Sequence, residues 1–470
     1  MIIGANMKEN GLDFGALCHS DPPAGGEESS ECNERNIYAN TRSFVASLLR
    51  MTDGESSWPK RLAFLLVFLL GAYFLTRLYG LGKLPVFVDE AIYVRWAQVM
   101  RTEPGLRFIP LQDGKQPLFM WLTIPFLKLV SDPLLAGRMV SVVAGFGTLL
   151  GVLALPLVLG WGLVVSLLAG FFYLIAPFTL FFDRMALVDS LLSAFGIWAL
   201  LFAVLLGKYK RLDLAMILGM ILGGAWLTKS PAMIFLLMTP LVVLFSQKNR
   251  SWRFWEKKKS ELGDLFKKII LLGVVGAFAY GIYNILRLGP EFQMIAIRNK
   301  DYVWPISEIL KHPWDPIKPH LGDVIRYYRG YLTPPLAILG VLGVIFAPKV
   351  LAIWWLLPLL AQSAIAKVFT ARYILYGVPI FLILAAKFLT SLEKKWGRLV
   401  FWGILAWISV YCLIFDFKLL TNPAQAPFPR NEREGYLQDW TAGWGIKEIA
   451  EYLKTIPRDK GIVVGTEGYF

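Results

Sequence analysis

Cysteine and histidine are nearly absent: each occurs three times among 470 residues. Cys18 and Cys32 lie in a polar N-terminal stretch and Cys412 in an apolar run, so no disulfide linking Cys412 to the other two is expected. His19, His312 and His320 are scattered, and no Cys/His cluster has zinc-ligand spacing, so no metal site is assigned. The first 58 residues lack the apolar core of a signal peptide. They are rich in Gly, Ser, Glu and Asn and read as a disordered cytoplasmic arm, 1–58, with Met51 a plausible natural start. Acid is also scarce. Asp and Glu number 34 against 48 Lys and Arg, a net charge of +14. That excess suggests nucleic acid, but the cations are confined to particular loops, and no nucleic-acid partner is expected.

What the chain has instead is apolar sequence. Hydrophobic residues make up 56% of it, above the roughly 45–50% of ordinary domains. Apolar runs recur at about the length that crosses a hydrocarbon core. They fall near 61–79, 138–158, 161–181, 189–207, 214–229, 231–246, 268–288, 331–347, 350–366, 372–388 and 398–416, about eleven in all. In lipid every backbone N–H and C=O must be satisfied within its own segment, so such runs are helices. The expected fold class is an all-α polytopic membrane protein with a transmembrane domain over 59–417.

The basic clusters orient it. Lys60 and Arg61 precede the first run, and Lys208, Lys210 and Arg211 follow the fourth. Lys248 through Lys268 lie between the sixth and seventh, and Lys387 through Arg398 between the tenth and eleventh. With eleven spans and a cytoplasmic N-terminus, all four clusters are cytoplasmic, as the positive-inside rule requires. Loops 80–137 and 289–330 and the tail 418–470 then face outward. Both loops mix aromatic, charged and apolar residues, and both are expected to form interfacial helices. In the tail, Pro423, Pro427 and Pro429 read as a linker, Ile446–Ile456 as a helix and Gly461–Gly465 as a strand. One helix and one strand cannot make a core, so the tail is expected to be the start of a truncated small α/β domain.

Five places could carry chemistry, each with a plainer explanation beside it. The adjacent acids Asp89 and Glu90 stand just beyond the first span and are either solvated loop acids or a general base with a neighbour. Lys115 opens a short apolar segment, where it either anchors the segment or meets a lipid phosphate. Asp189 starts the fourth span, as a helix cap or as a second site carboxylate. Lys229, in Leu227-Thr228-Lys229-Ser230-Pro231, either snorkels outward or pairs with an anion. Arg372-Tyr373 opens the tenth span, where Arg is either an interfacial anchor or a phosphate ligand. Under the eleven-span topology all five lie on the outer side. Acids and cations together on one face suit a site that deprotonates a hydroxyl and neutralises a leaving phosphate. A transporter or lipid flippase is the alternative, but the sequence has no internal repeat, and its charges gather at one face rather than at the midplane.

These residues resemble the motifs of the protein O-mannosyltransferase and aminoarabinose transferase group. That group belongs to the C-type superfamily of polyprenyl-phosphate-dependent glycosyltransferases. Asp89-Glu90 is similar to its Asp-Glu motif. Lys115-Gln116-Pro117-Leu118-Phe119-Met120-Trp121-Leu122 is similar to Lys-Pro-Pro-Leu-x-x-Trp-Leu, with Gln116 in place of a Pro. Arg138 sits where the family has an Arg at its second span. Arg184 through Asp189 is similar to Arg-x-x-x-x-Asp, Lys229 with its neighbours to Thr-Lys-Gly-Pro, and Arg372-Tyr373 to its Arg-Tyr. The resemblance covers roughly 60–420.

It implies an inverting transferase of a bacterial or archaeal-type plasma membrane. Its donor would be a polyprenyl-phosphate sugar, and its acceptor a hydroxyl of a protein, lipid or glycan. Asp89 would be the base, and Glu90 and Asp189 would position acceptor or sugar. Lys115 and Arg372 would stabilise the leaving phosphate, with Arg138, Arg184, Lys229 and Tyr373 contributing to substrate binding. No cofactor beyond the lipid-linked donor is implied, although two carboxylates could hold a divalent cation.

Overall fold

A computed structural model describes residues 60–246 and 258–457. The expected N-terminal arm and the strand read over 461–465 lie outside the described residues. The site lies in a compact unit that begins at Leu65.

The element order is almost wholly helical. Helix α1 is Lys60–Leu78, followed by a two-residue strand β1, Val86–Phe87, and α2, Val88–Thr102. Then come α3 (Leu118–Leu129), α4 (Pro133–Val158), α5 (Leu163–Ile175), α6 (Pro177–Phe182) and α7 (Val188–Tyr209). Next are α8 (Leu212–Thr228), α9 (Ala232–Phe245) and α10 (Lys258–Tyr283). Loop 289–330 supplies α11 (Met294–Tyr302), α12 (Ile306–Lys311) and α13 (Trp314–Tyr331). The bundle closes with α14 (Thr333–Ile345), α15 (Lys349–Ile365), α16 (Val378–Trp396) and α17 (Arg398–Thr421). The tail adds α18 (Arg430–Arg433), strand β2 (Ala442–Gly443) and α19 (Ile446–Thr455).

Every apolar run read from the sequence falls on a helix. The architecture is that of a helical membrane protein. Five stretches are long and apolar enough to cross a bilayer by length and composition: Pro133–Val158, Val188–Tyr209, Leu262–Leu288, Ala371–Trp396 and Arg398–Thr421. The other apolar helices are shorter, and proline punctuates several of them. Pro177 separates α5 from α6, and Pro231 stands between α8 and α9. Both loops expected to be helical are so.

Close approach of the helices depends on small residues, as in other membrane bundles. Gly145 on α4 is the clearest case. A Cβ there would lie 2.3 Å from Asp183 Cγ and 2.4 Å from the Tyr73 hydroxyl. Asp183 accepts from Tyr173 (3.0 Å) and Ser190 (3.1 Å) and lies 3.7 Å from Arg77 Nε. Arg77 also donates to the carbonyls of Leu174 (2.7 Å) and Tyr173 (3.1 Å). This buried network ties α1, α5, α6 and α7 together beneath the site.

The two ends of the bundle differ. At one end Lys208 Nζ reaches Val158 O (2.5 Å), Lys268 Nζ reaches Leu244 O (3.3 Å), and Lys210 pairs with Asp264. Basic residues from α7 and α10 therefore share that end. The chain alternates direction between helices, so loops 80–137 and 289–330 share the opposite end. Leu111 of one and Ile295 of the other share a buried cluster there with Leu227 of α8 and Leu286, which follows α10.

The tail joins this second end. Strand β2 pairs antiparallel with β1, Val86 opposite Gly443 and Phe87 opposite Ala442. Ala426, Phe428, Glu432, Tyr436 and Leu437 are buried. Pro429 comes so near Gly330 that a Cβ on the glycine would lie 2.4 Å from the proline ring. Read from sequence as linker and separate domain, residues 426–443 are instead part of the body. The proline-rich segment lies extended across α13 because aromatic rings of the bundle hold it: Phe428 lies 4.9 Å from Phe181 and 5.7 Å from Tyr331.

Candidate active site

Asp89 and Glu90 are neighbours in sequence with opposite surroundings. Both sit in the first turn of α2, where successive side chains point about 100° apart. Glu90 turns inward and is fully buried. Its Oε1 accepts from Arg138 Nε (2.9 Å) and the Ala186 N–H (2.6 Å), and its Oε2 from Arg138 Nη2 (2.8 Å) and the Phe87 N–H (3.0 Å). Arg138, also fully buried, spends its remaining donors on the carbonyls of Leu81 (2.7 Å), Leu84 (3.0 Å) and Pro85 (2.9 Å). This pair braces the entry to α2 against α4 and the turn before α7. Neither residue has capacity left for substrate, which corrects the expectation that Glu90 positions the acceptor and Arg138 binds the donor.

Arg184 differs: its Nε and Nη1 have no hydrogen-bond partner among the described residues, so donors remain. It is fully buried and directs Nη2 to the carbonyls of Tyr79 (2.9 Å) and Gly80 (2.8 Å), fastening the end of α1.

Asp89 turns the other way. Its Oδ2 lies 2.6 Å from Arg372 Nη1. The turn Ala371–Gly377, which precedes α16, carries Arg372 to it. Burial alone would raise the Asp89 pKa. The Arg372 guanidinium, its hydrogen bond, and the charges of Lys115 and Lys229 outweigh burial and hold it below the ordinary carboxylate range.

The second acid follows the same pattern. Asp189 opens α7, and its Oδ1 accepts from Lys229 Nζ at 2.7 Å. Lys229 also lies over the Tyr373 ring, 4.2 Å from its centroid. Arg372 lies 5.4 Å from the rings of both Phe87 and Tyr373. Five residues singled out from the sequence, Asp89, Asp189, Lys229, Arg372 and Tyr373, therefore form one constellation from four separate segments.

Beside it lies a cavity of about 320 Å³. Lys115, Gln116, Lys229, Ser230, Tyr302 and Tyr373 are among its lining residues, with Ile234, Leu237, Ile365 and Val368 on its apolar side. Lys115 Nζ donates to the Tyr302 hydroxyl (3.2 Å) and lies 4.4 Å from that ring's centroid. Gln116 Nε2 donates to Ser230 Oγ at 2.7 Å. Both residues depart from the family's motifs, and they bond to each other, so the two departures are coupled. Among the described residues no group of three His, Cys, Asp or Glu could hold a metal ion.

The chain is similar to the crystal structure of ArnT from Cupriavidus metallidurans bound to undecaprenyl phosphate. The TM-score is 0.52 at 16% identity, over 85% of this chain and 82% of that one. The fold is that of the C-type glycosyltransferases. An Archaeoglobus fulgidus oligosaccharyltransferase, tethered with an acceptor peptide containing the NVT sequon via a disulfide bond, gives a TM-score of 0.50 at 13% identity. There 88% of this chain is covered but only 61% of the other. No family model and no curated protein sequence matches the chain. The C-type fold expected from the motifs is thus the fold observed.

Tyr302, Ser230 and the tail residues Glu432 and Tyr436 were missed as site neighbours by sequence reasoning. Tyr302 carries a local signal, an aromatic in a basic loop. Glu432 carries none, because its contacts lie on α13 and the Arg372 turn.

Proposed function

We propose that the protein transfers a sugar from a polyprenyl-phosphate donor to an acceptor hydroxyl on the extracytoplasmic face, with inversion at the anomeric carbon. The observation that carries this reading is the Asp89–Arg372 pair beside a cavity lined by Lys115, Lys229 and Tyr373. Two carboxylates, Asp89 and Asp189, and three cations converge where five segments meet. Asp89 takes the acceptor proton as the acceptor oxygen bonds to the anomeric carbon, and the bond from that carbon to the phosphate oxygen breaks. Lys115, Lys229 and Arg372 neutralise the phosphate that leaves, where preorganised charge is most effective. Asp189 keeps Lys229 in place. The apolar side of the cavity suits the first isoprene units of the carrier. ArnT, whose structure holds undecaprenyl phosphate, lends support through its shared fold.

In the membrane this reading has eleven spans, a cytoplasmic arm over 1–58, and outer loops and tail on the side of the site. The test is mass spectrometry of the purified protein, followed by transfer assays with the lipids found, polyprenyl-phosphate mannose and aminoarabinose included. Purification without any polyprenyl-phosphate sugar, and no transfer from either donor, would overturn the reading.

A further inference from the structure

A second cavity, of about 670 Å³, shares no lining residue with the first. It is a groove with three walls. Gly322, Ile325, Arg326 and Arg329 of α13 line one of them. Their spacing of three and four residues puts them on one face of that helix. The opposite face carries Val324, Tyr327, Tyr328 and Tyr331, which are buried. Tyr411, Ile414 and Phe415 of α17 form the second wall, and Pro427, Phe428 and Pro429 of the tail the third.

The groove is apolar at one part and cationic at another. Ile325 is 69% exposed and Ile414 54% exposed. Ile414 lies on one of the stretches long enough to cross a bilayer, seven residues before the end of α17 at Thr421. That is about 10 Å along the helix axis, at the depth of lipid chains in the leaflet on the side of the site. Arg326 and Arg329 belong to loop 289–330, which lies at that end. No acid lines the groove. Arg326 lies 3.1 Å from Asp323, and Arg329 has no ionic partner among the described residues.

We infer that the groove binds one anionic glycerophospholipid of the surrounding leaflet, separate from any lipid in the first cavity. Its chains lie against Ile325, Ile414 and Phe415, and its phosphate on the two guanidiniums, which match phosphate oxygens in pairs. A zwitterionic lipid brings its own ammonium beside the phosphate, and the arginines favour it less. The volume is that of an ordinary ligand site, roughly 300–1,000 Å³.

A lipid seated there touches three separate parts of the chain. The tail wall leads directly into α18, where Glu432 is buried. Glu432 Oε1 accepts from the backbone N–H of Ala371 at 3.1 Å, and its Oε2 from the Tyr331 hydroxyl at 3.1 Å. Ala371 is the residue before Arg372. The lipid therefore steadies the tail segment that clasps the Arg372 turn.

The experiment is native mass spectrometry of the full chain with phosphatidylglycerol or phosphatidylcholine of the same chain length. It compares the wild type with Arg326→Gln/Arg329→Gln, with Gly322→Trp and with Lys447→Gln. A Cβ at Gly322 meets nothing within 4 Å, so the tryptophan fills the groove without a backbone clash. Lys447, on α19, is an exposed cation outside the groove and serves as the control. The wild type should prefer phosphatidylglycerol by about tenfold or more, the scale of two cations beside an anionic headgroup. The double arginine variant should lose that preference and still bind phosphatidylcholine. Gly322→Trp should bind both lipids less, and Lys447→Gln should match the wild type. Phosphatidylglycerol should also slow hydrogen exchange over residues 426–437 in the wild type and not in Gly322→Trp. Equal binding of the two lipids by the wild type overturns the inference. So does a preference that survives in the double arginine variant, or one lost as fully in Lys447→Gln. Displacement of phosphatidylglycerol by equimolar undecaprenyl phosphate would assign the groove to the carrier instead, and unchanged exchange over 426–437 would remove the link to the tail.

Discussion

Arg372 Nη1 and Asp89 Oδ2, 2.6 Å apart, form an ion pair between a proposed phosphate ligand and the proposed base. A carboxylate held this way is a weak base. A donor phosphate arriving at Arg372 competes for the guanidinium and releases Asp89, so the base becomes effective only when the donor is seated. Asp89→Asn should lower single-turnover transfer by about 100-fold or more, with donor binding retained. Near-normal turnover would move the role of base to Asp189.

Arg372→Gln tests the pairing from the other side. Without the guanidinium, the chief influence holding the Asp89 pKa down is gone, so that pKa rises. The acidic limb of the kcat/KM profile should shift to higher pH. Stability follows the same sign. Asp89 in the wild type contributes stability that is present above the ordinary carboxylate pKa of about 3.9 and is lost as pH falls through its lowered folded value. An acid limb that stays in place in Arg372→Gln would show that the limb belongs to another group.

Lys115 should behave as a binding residue. It touches Tyr302 but no acid, so its removal leaves no buried charge behind. Lys115→Ala should weaken undecaprenyl-phosphate binding by about tenfold, the scale of one charge-assisted hydrogen bond, with little change in melting temperature. Binding by scintillation proximity or native mass spectrometry reads the first effect, and thermal unfolding in detergent the second.

Glu90 and Arg138 should affect stability. Arg138→Met leaves Glu90 buried with its cation removed, at a cost of about 3–5 kcal/mol. Glu90→Gln leaves the Arg138 cation buried without its anion and turns an amide NH2 toward N–H donors, so it should cost a similar amount. Thermal unfolding checks both, and a normal melting temperature for Arg138→Met would contradict the bracing role.

Topology can be tested by labelling in intact cells, in a background free of native cysteine. A cysteine at Lys395 should react only from the cytoplasmic side and one at Gly435 only from outside. Labelling of both from the same side would overturn the eleven-span count.

The apolar helices were legible because hydropathy is a local property, and the shared end followed from alternation. That alone brought Asp89, Asp189, Lys229 and Arg372 together from distant segments. What sequence could not separate was Asp89 from Glu90, because adjacent helical residues face different surroundings and the pattern does not say which faces inward. A clue existed: Glu90 is the third residue of α2, where an acid reaches back to cap the preceding N–H, and it does so at Phe87. Arg138 and Arg184 were read as ligands because they stand where the resembled motifs have an arginine. Both instead bond backbone carbonyls of the chain after α1, and Arg138 the Glu90 carboxylate as well, which no motif encodes. The tail was misread for a similar reason. Proline-rich composition resembles a linker, and its aromatic contacts with Phe181 and Tyr331 come from the fold.

The pairing of Val86 with Gly443 joins the beginning of the described chain to its far end. During synthesis, at about 5–20 residues per second, Asp89 is made long before Arg372 exists, and Glu432 follows later still. A nascent chain therefore carries the acid but not its cation, and the cation before its clasp. Assembly of the site is a late, long-range closure of the kind that forms slowly. Chains released before residue 430 should insert into the membrane and stay inert. Assembly of the site thus waits on residues 430–443, which are made after every helix of the bundle.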